Sequence, residues 1–281
     1  MPSNIRIKKD QIALMNIQYK YHPFRKFLDD AVKYQVKNIE IWCAAPHFHL
    51  DDLTYLDIKR IKHEIDSRNL NVVCYTPEQC VYPVNIAAES RDERRRSLKF
   101  FENNLRAASE LGADKLLVTS GWGYFDNSNR EEAWKYAAEG IYNLAECGVR
   151  HGIKIALEVL RKDESNLVND LASLRQMMDE LNHDQIGAIM DTCPMNLAGE
   201  SPKVYLDALG DRLIHVHFID GNPRGHLAWG DGILDMDRYL QELSDGGYQG
   251  YLSLEITDGR YFMDPEQSVR RSIEKLYSSL V

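Results

Sequence analysis

Four ionisable residues stand at the ends of four successive apolar segments in the second half of the chain. Glu158 closes KIALEV (154–159), Asp191 closes IGAIMD (186–191), His217 lies in LIHVHFID (213–220) and Glu255 in GYLSLEIT (250–257). An acid at the end of an apolar strand is costly unless a charge is needed there. One such acid alone more often caps the next helix or pairs with a lysine; the joint occurrence on four segments points elsewhere. Three carboxylates gathered in one small site repel one another unless a cation holds them. With one imidazole they form an oxygen-rich donor set that suits Mn2+, Mg2+ or Co2+, accommodates Zn2+, and matches thiolate-selecting metals poorly. The two histidines of HVH share one face of a strand. His217, nearer the rim, is the expected ligand, with His215 one layer deeper as its support.

The elements that must position these groups alternate along the chain. Four further apolar segments precede them: QIALMN (11–16), NIEIWC (38–43), NVVCYT (71–76) and KLLVTS (115–120). All eight are nearly continuous in apolar residues, which is how parallel strands covered on both faces read. Stretches with helical spacing lie between them. Phe24, Phe27, Leu28, Ala31 and Val32 mark one helix face, and Leu98, Phe101, Leu105 and Ala108 another, with Gly112 as its stop signal. Further helices are expected at 131–151, 167–181, 202–209, 236–243 and 265–280, and in the linker 51–68. Strand and helix thus recur eight times at intervals of roughly 25 to 45 residues, the count and length of a closed (β/α)8 TIM barrel. A doubly wound open sheet is the rival architecture, but no GxGxxG or GxxxxGK[ST] follows the first segment. No break in composition divides the chain, so one domain spanning 1–281 is expected.

The net charge of -9 argues against nonspecific binding to nucleic acid or an acidic membrane, which would call for an excess of Lys and Arg. No apolar run approaches the ~18 residues of a membrane span, and the N-terminus lacks a signal-peptide pattern. The five cysteines are scattered, without CxxC pairs. A soluble protein of the reducing cytoplasm is expected, with no nucleic-acid or membrane partner.

Several stretches resemble the xylose isomerase-like TIM barrels of sugar isomerases and epimerases. They are IEIWCAAPH (39–47), YTPE (75–78), YPVN (82–85), LEVLRKDESNLV (157–168), MDTCPMN (190–196), HVHFID (215–220), WGDG (229–232) and GYQGYLSLEIT (247–257). Within that family the similarity is closest to the ketose 3-epimerases of the fructoselysine 3-epimerase type, and it runs over nearly the whole length.

The resemblance implies one divalent ion, Mn2+ first among the candidates, held by Glu158, Asp191, His217 and Glu255. Glu158 and Glu255 would also be the acid/base pair that epimerises C3 of a ketose or ketose-amine through an enediolate. An aldose–ketose isomerase or polyol dehydratase on the same scaffold, and a catalytically silent sugar-binding barrel, are the alternatives. The spacing of Glu158 to Glu164 matches the 3-epimerases, where the second glutamate contacts the sugar. Other expected substrate contacts are His47, Tyr75, Glu78, Asn85, Arg224, His226 and Trp229. The chain departs from the family at Pro194, where relatives often place a histidine, and at Arg224, one place from the usual arginine. The partner implied is a small carbohydrate, and relatives are commonly homo-oligomers.

Overall fold

In the computed structural model, which describes residues 5–280, eight parallel strands close into a barrel. Positions 1–4 and 281 of the expected 1–281 unit lie outside the described residues. The strands are β1 (Ile12–Met15), β2 (Asn38–Cys43), β3 (Asn71–Pro77), β4 (Lys115–Thr119), β5 (Lys154–Glu158), β6 (Ile186–Asp191), β7 (Leu213–His217) and β10 (Tyr251–Leu254), which closes onto β1. Around them run α1 (Phe24–Lys33), α2 (Tyr55–Asp66), α3 (Arg91–Leu111), α4 (Arg130–His151), α5 (Leu171–Leu181), α7 (Pro202–Leu209), α8 (Met236–Asp245) and α9 (Pro265–Ser279). The fold is the expected TIM barrel. No helix among the described residues is long and apolar enough to cross a membrane.

Strand alternation sorts the side chains into two compartments. Ile39 and Ile41 of β2, Leu116 and Val118 of β4, and Ile155 and Leu157 of β5 pack outward in one core with Phe27, Phe101, Leu105, Ile141 and Leu174 of the helices. Each such side chain contributes ~1.5–3 kcal/mol by leaving water. Inside the barrel, Cys74, Leu117, Ala156 and Ile189 form a small apolar floor. Two residues further along each of those strands stand Thr76, Thr119, Glu158 and Asp191, on the same inward face and one layer nearer the rim.

Helix boundaries follow their caps. Gly112 ends α3 with φ +82°, a left-handed conformation that a side chain would strain. α5 begins later than its apolar spacing suggests, because the Asp170 carboxylate accepts the Ser173 N–H and starts the helix at Leu171.

Two elements were not anticipated. A short helix, α6 (Thr192–Leu197), follows β6 directly, with Asp191 accepting the Cys193 N–H as its N-cap. After β7, strands β8 (Asp220–Asn222) and β9 (Arg224–Leu227) form a two-stranded antiparallel arm. Asp220 is the anchor of that arm. Its buried oxygens accept the N–H groups of Gly221, Gly230, Gly232 and Leu234. A Cβ at Gly232 would sit 2.3 Å from an Asp220 oxygen, so the close approach requires glycine there.

The first and last helices are tied by Glu266 of α9. Its carboxylate accepts from Lys26 Nζ (2.7 Å), from the Tyr34 hydroxyl (2.9 Å) and from Lys33. Hydrogen bonds from Lys26, Lys33 and Tyr34 hold the Glu266 carboxyl down at about 2. A depressed carboxyl contributes stability above its unfolded pKa of ~4.3 and loses it as pH falls toward the folded value. Glu266→Gln is therefore expected to cost about 1 kcal/mol at pH 7, lowering the melting temperature by ~2–4 °C. Thermal melts should show that difference fading between about pH 4.5 and pH 2; a gap independent of pH would contradict the ion-pair account.

Candidate active site

The strand ends of β5, β6, β7 and β10 bring Glu158, Asp191, His217 and Glu255 together. One donor atom from each lies within 4.8 Å of the others. Register explains the convergence. Glu158 pairs with Ile189 on β6, Asp191 pairs with His217 on β7, and His217 pairs with Ser253, two residues before Glu255. β10 ends at Leu254 because the chain beyond it turns to the arm, where the Thr257 and Asp258 N–H groups donate to the His226 carbonyl. Glu255 thus sits on the rim rather than in the ladder.

His217 is the hub. Its Nδ1 lies 2.7 Å from Glu158 Oε1 and 3.1 Å from Glu255 Oε2. His226, carried in by β9, places Nε2 3.3 Å from Asp191 Oδ2 and Nδ1 3.1 Å from Glu255 Oε2. Glu158, Asp191 and His217 are buried, while His226 and Glu255 keep a small exposed edge.

Burial and mutual charge set their protonation. Burial pushes the Glu158 carboxyl up to about 7, against the pull of His217. At Glu255 burial is outweighed by His217 and His226, which hold the carboxyl down at about 2. Burial also raises Asp191. Burial alone would lower both imidazoles, but the carboxylates around them win. Glu255, Glu40 and Glu158 lift His217 well above the ordinary range, and Asp191 and Glu255 do the same to His226. The cluster thus calls for positive charge at its centre.

Whether the residues fit a cation is tested by the atoms left without partners. Glu158 Oε1 and His217 Nδ1, although in contact, lack hydrogen-bond geometry, and both are buried; His226 Nδ1 is likewise unpartnered. Buried polar atoms with no partner are costly, and a cation among them satisfies several at once. Three carboxylate oxygens and one imidazole nitrogen are a donor set for a hard or borderline divalent ion. They fit.

Glu158, Asp191 and Glu255 line a cavity of about 250 Å³, walled also by Trp42, Thr76, Glu78, Cys80, Val81, Arg161, Glu164, Pro194, His226 and Thr257 among others. A larger hollow, about 730 Å³, lies against α3 between Leu50, Tyr82 and Phe100, and none of the four strand-end residues walls it.

The expected substrate contacts divide. Glu164, Glu78 and His226 reach the cavity. Glu164 is held by Arg161 through a 2.6 Å ion pair. Glu78 accepts the Trp42 indole N–H (2.9 Å) and the N–H groups of Cys80 and Val81. The other five do not line it. Tyr75 alternates with the inward Cys74 and Thr76, so it points to the helices and donates to Asn104 Oδ1 at 2.7 Å. Trp229 is fully buried against Phe218, its indole N–H on the Phe218 carbonyl. Asn85 shapes a loop, joining the Trp122 carbonyl and the N–H groups of Ala87 and Trp122. His47 bridges Asn16 and the His22 carbonyl. Arg224 is 67% exposed and pairs with Asp163 outside. Pro194 walls the cavity, and His226 supplies an imidazole to it from the arm.

Sequence reasoning missed Arg161 and, on β2, Glu40. Glu40 is completely buried inside the barrel, 2.8 Å from His215 Nε2 and 3.1 Å from His217 Nε2. Its signal was available: an acid flanked by Ile39 and Ile41 in a strand covered on both faces.

Comparison with known proteins places the chain. The model of the xylose isomerase-like TIM barrel family matches residues 28–279. Fructoselysine 3-epimerase of Escherichia coli O157:H7 is 29% identical over 262 residues, covering 92% of this chain and 93% of that protein. The 3-dehydro-D-guloside 4-epimerase of Escherichia coli K12 is 28% identical over 192 residues, 65% of this chain and 71% of that one. Among solved structures, an L-ribulose 3-epimerase superimposes with a TM-score of 0.83 at 18% identity, covering 96% of this chain and 94% of its own, a likeness of fold. With barrel, strand-end cluster and family match in agreement, the chain belongs to the xylose isomerase-like TIM-barrel family.

Proposed function

We propose that this chain is a divalent-metal-dependent epimerase that inverts C3 of a ketose or ketose-amine. The coarser class, a sugar epimerase or isomerase, is that of its relatives. The observation that carries the finer reading is the meeting of three carboxylates and one imidazole within 4.8 Å, with the carboxylates lining a sugar-sized cavity.

Glu158, Asp191, His217 and Glu255 would hold the ion, with Mn2+ favoured and Co2+, Mg2+ or Zn2+ also compatible with the donors. A bound divalent ion would supply Lewis acidity, polarising the ketone beside C3 and offsetting charge that develops on its oxygen. The protein's own part is proton transfer. Inversion needs two groups flanking the reacting carbon, one free to take the proton while the other carries one to return. Glu158 and Glu255 come from different strands on either side of His217. Without a cation their surroundings differ, burial pushing Glu158 up to about 7 and the two imidazoles holding Glu255 down at about 2, and a bound ion would lower both. Reversal exchanges the roles. Glu164, half-buried in the wall and held by Arg161, would accept hydrogen bonds from sugar hydroxyls.

The charge of the wall supports a neutral or cationic substrate over a phosphorylated one. Glu78, Glu158, Glu164, Asp191 and Glu255 line the cavity, and its arginine, Arg161, is already paired with Glu164.

Two outcomes are expected. Mn2+ at about a hundred times its dissociation constant should stabilise the fold by ~2.7 kcal/mol, read as a rise in melting temperature that a chelator reverses. An unmoved transition would contradict the cation site. In D2O the metal-loaded protein should place deuterium at C3 of its ketose, and Glu158→Gln and Glu255→Gln should each slow this by ~10²–10⁴-fold. Label at C1 would instead indicate aldose–ketose isomerisation, and no exchange with any sugar or sugar-amine would sink the enzyme reading.

A further inference from the structure

We infer that Glu40 is a positioning residue that fixes the tautomer and orientation of His217, so that Nδ1 enters the carboxylate cluster as a lone-pair donor. The inference rests on reading the strand-end cluster as a cation site, and deepens it by one layer.

Glu40 belongs to the layer below the cluster, on β2, across the barrel from β7. It is 0% exposed and touches three polar side chains. Oε2 is 2.8 Å from His215 Nε2, Oε1 is 3.1 Å from His217 Nε2, and Oε1 also accepts the Thr76 hydroxyl. An ionised carboxylate only accepts hydrogen bonds, so both Nε2 atoms must carry the hydrogen. The two rings stand perpendicular, 86° apart with centroids at 5.5 Å, which lets both edges aim at one carboxylate.

For His217 the consequence is specific. With Nε2–H committed to Glu40, the neutral imidazole has its lone pair on Nδ1, the atom 2.7 Å from Glu158 and 3.1 Å from Glu255. A ring flipped about its axis, or the other tautomer, would turn an N–H or a C–H toward the cluster. Neither binds a cation. A carboxylate behind a ligating histidine is the arrangement that orients the ring and raises its basicity.

Packing alone does not account for Glu40. The floor beside it is Cys74, Leu117, Ala156 and Ile189, where an aliphatic residue would cost less to bury than an acid. His215 and Thr76 occupy the carboxylate's other acceptor positions and keep it from swinging toward the rim. His215 therefore acts on the cluster at one remove, through Glu40.

The test is the affinity for Mn2+ alone, by calorimetry or by electron paramagnetic resonance of the free ion, with folding followed by near-ultraviolet circular dichroism. Glu40→Leu removes both acceptor oxygens and is expected to weaken Mn2+ binding by ~10–100-fold in a barrel that remains folded. Glu40→Gln keeps one acceptor oxygen, which can serve only one of the two Nε2–H groups while its NH2 faces the other, and should fall between wild type and the leucine variant. This graded recovery separates positioning from simple packing. Glu40→Gln also carries the comparison should the leucine variant not fold. Mn2+ affinity within about threefold of wild type in a folded leucine variant, or in the glutamine variant where leucine does not fold, would overturn the role of Glu40. Wild-type protein that binds no Mn2+ would overturn the cation site itself.

Discussion

Three carboxylates buried around one imidazole are the constraint on which the rest of this structure depends. Left to themselves, Glu158, Asp191 and Glu255 would protonate or move apart, because burial penalises each charge and each charge penalises the others. They are kept from moving apart because each stands at or just past the end of a parallel strand whose register is fixed by its neighbours. His217 and His226 offset part of the repulsion. A divalent ion between the carboxylates would offset more of it. The barrel thus stores an electrostatic demand at its rim, and the demand is what a cation and a polarised ketone would satisfy.

The layer below the rim makes that demand local. On four strands the inward residue beneath the site is apolar, forming the Cys74, Leu117, Ala156 and Ile189 floor. On β2 and β7 the floor is interrupted by Glu40 and His215, which hold the hub imidazole from behind. At the rim, Asp220 is spent entirely on backbone N–H groups, and Arg224 stays in solvent against Asp163. Function-bearing strain of this kind is a usual cost of a site built on a rigid scaffold.

The barrel and the four strand-end residues were legible because both rest on short-range regularities. Continuous apolar runs announce strands covered on both faces, and an acid closing such a run is conspicuous. The misjudged contacts share a different cause. Tyr75 was grouped with its neighbours in YTPE, although strand parity turns it away from Thr76 and out to the helices. Trp229 and Asn85 lie in loops, whose side chains have no period, and there an aromatic or an amide serves burial and turn geometry as readily as a sugar. Parity would have found Glu40, two residues before Trp42 on the same face. The arm that delivers His226 is short and polar; nothing in its spacing distinguishes it from an irregular loop. Pro194 was noted as a departure, and in the structure it lines the cavity together with His226 of the arm.

The central claim is that these four side chains share one divalent ion, and anomalous diffraction from crystals grown with Mn2+ tests it most directly. The account predicts a single strong peak at the barrel rim, ~2.0–2.3 Å from one oxygen each of Glu158, Asp191 and Glu255 and from Nδ1 of His217. A rim without a peak, or a peak coordinated by His217 through Nε2, would contradict it.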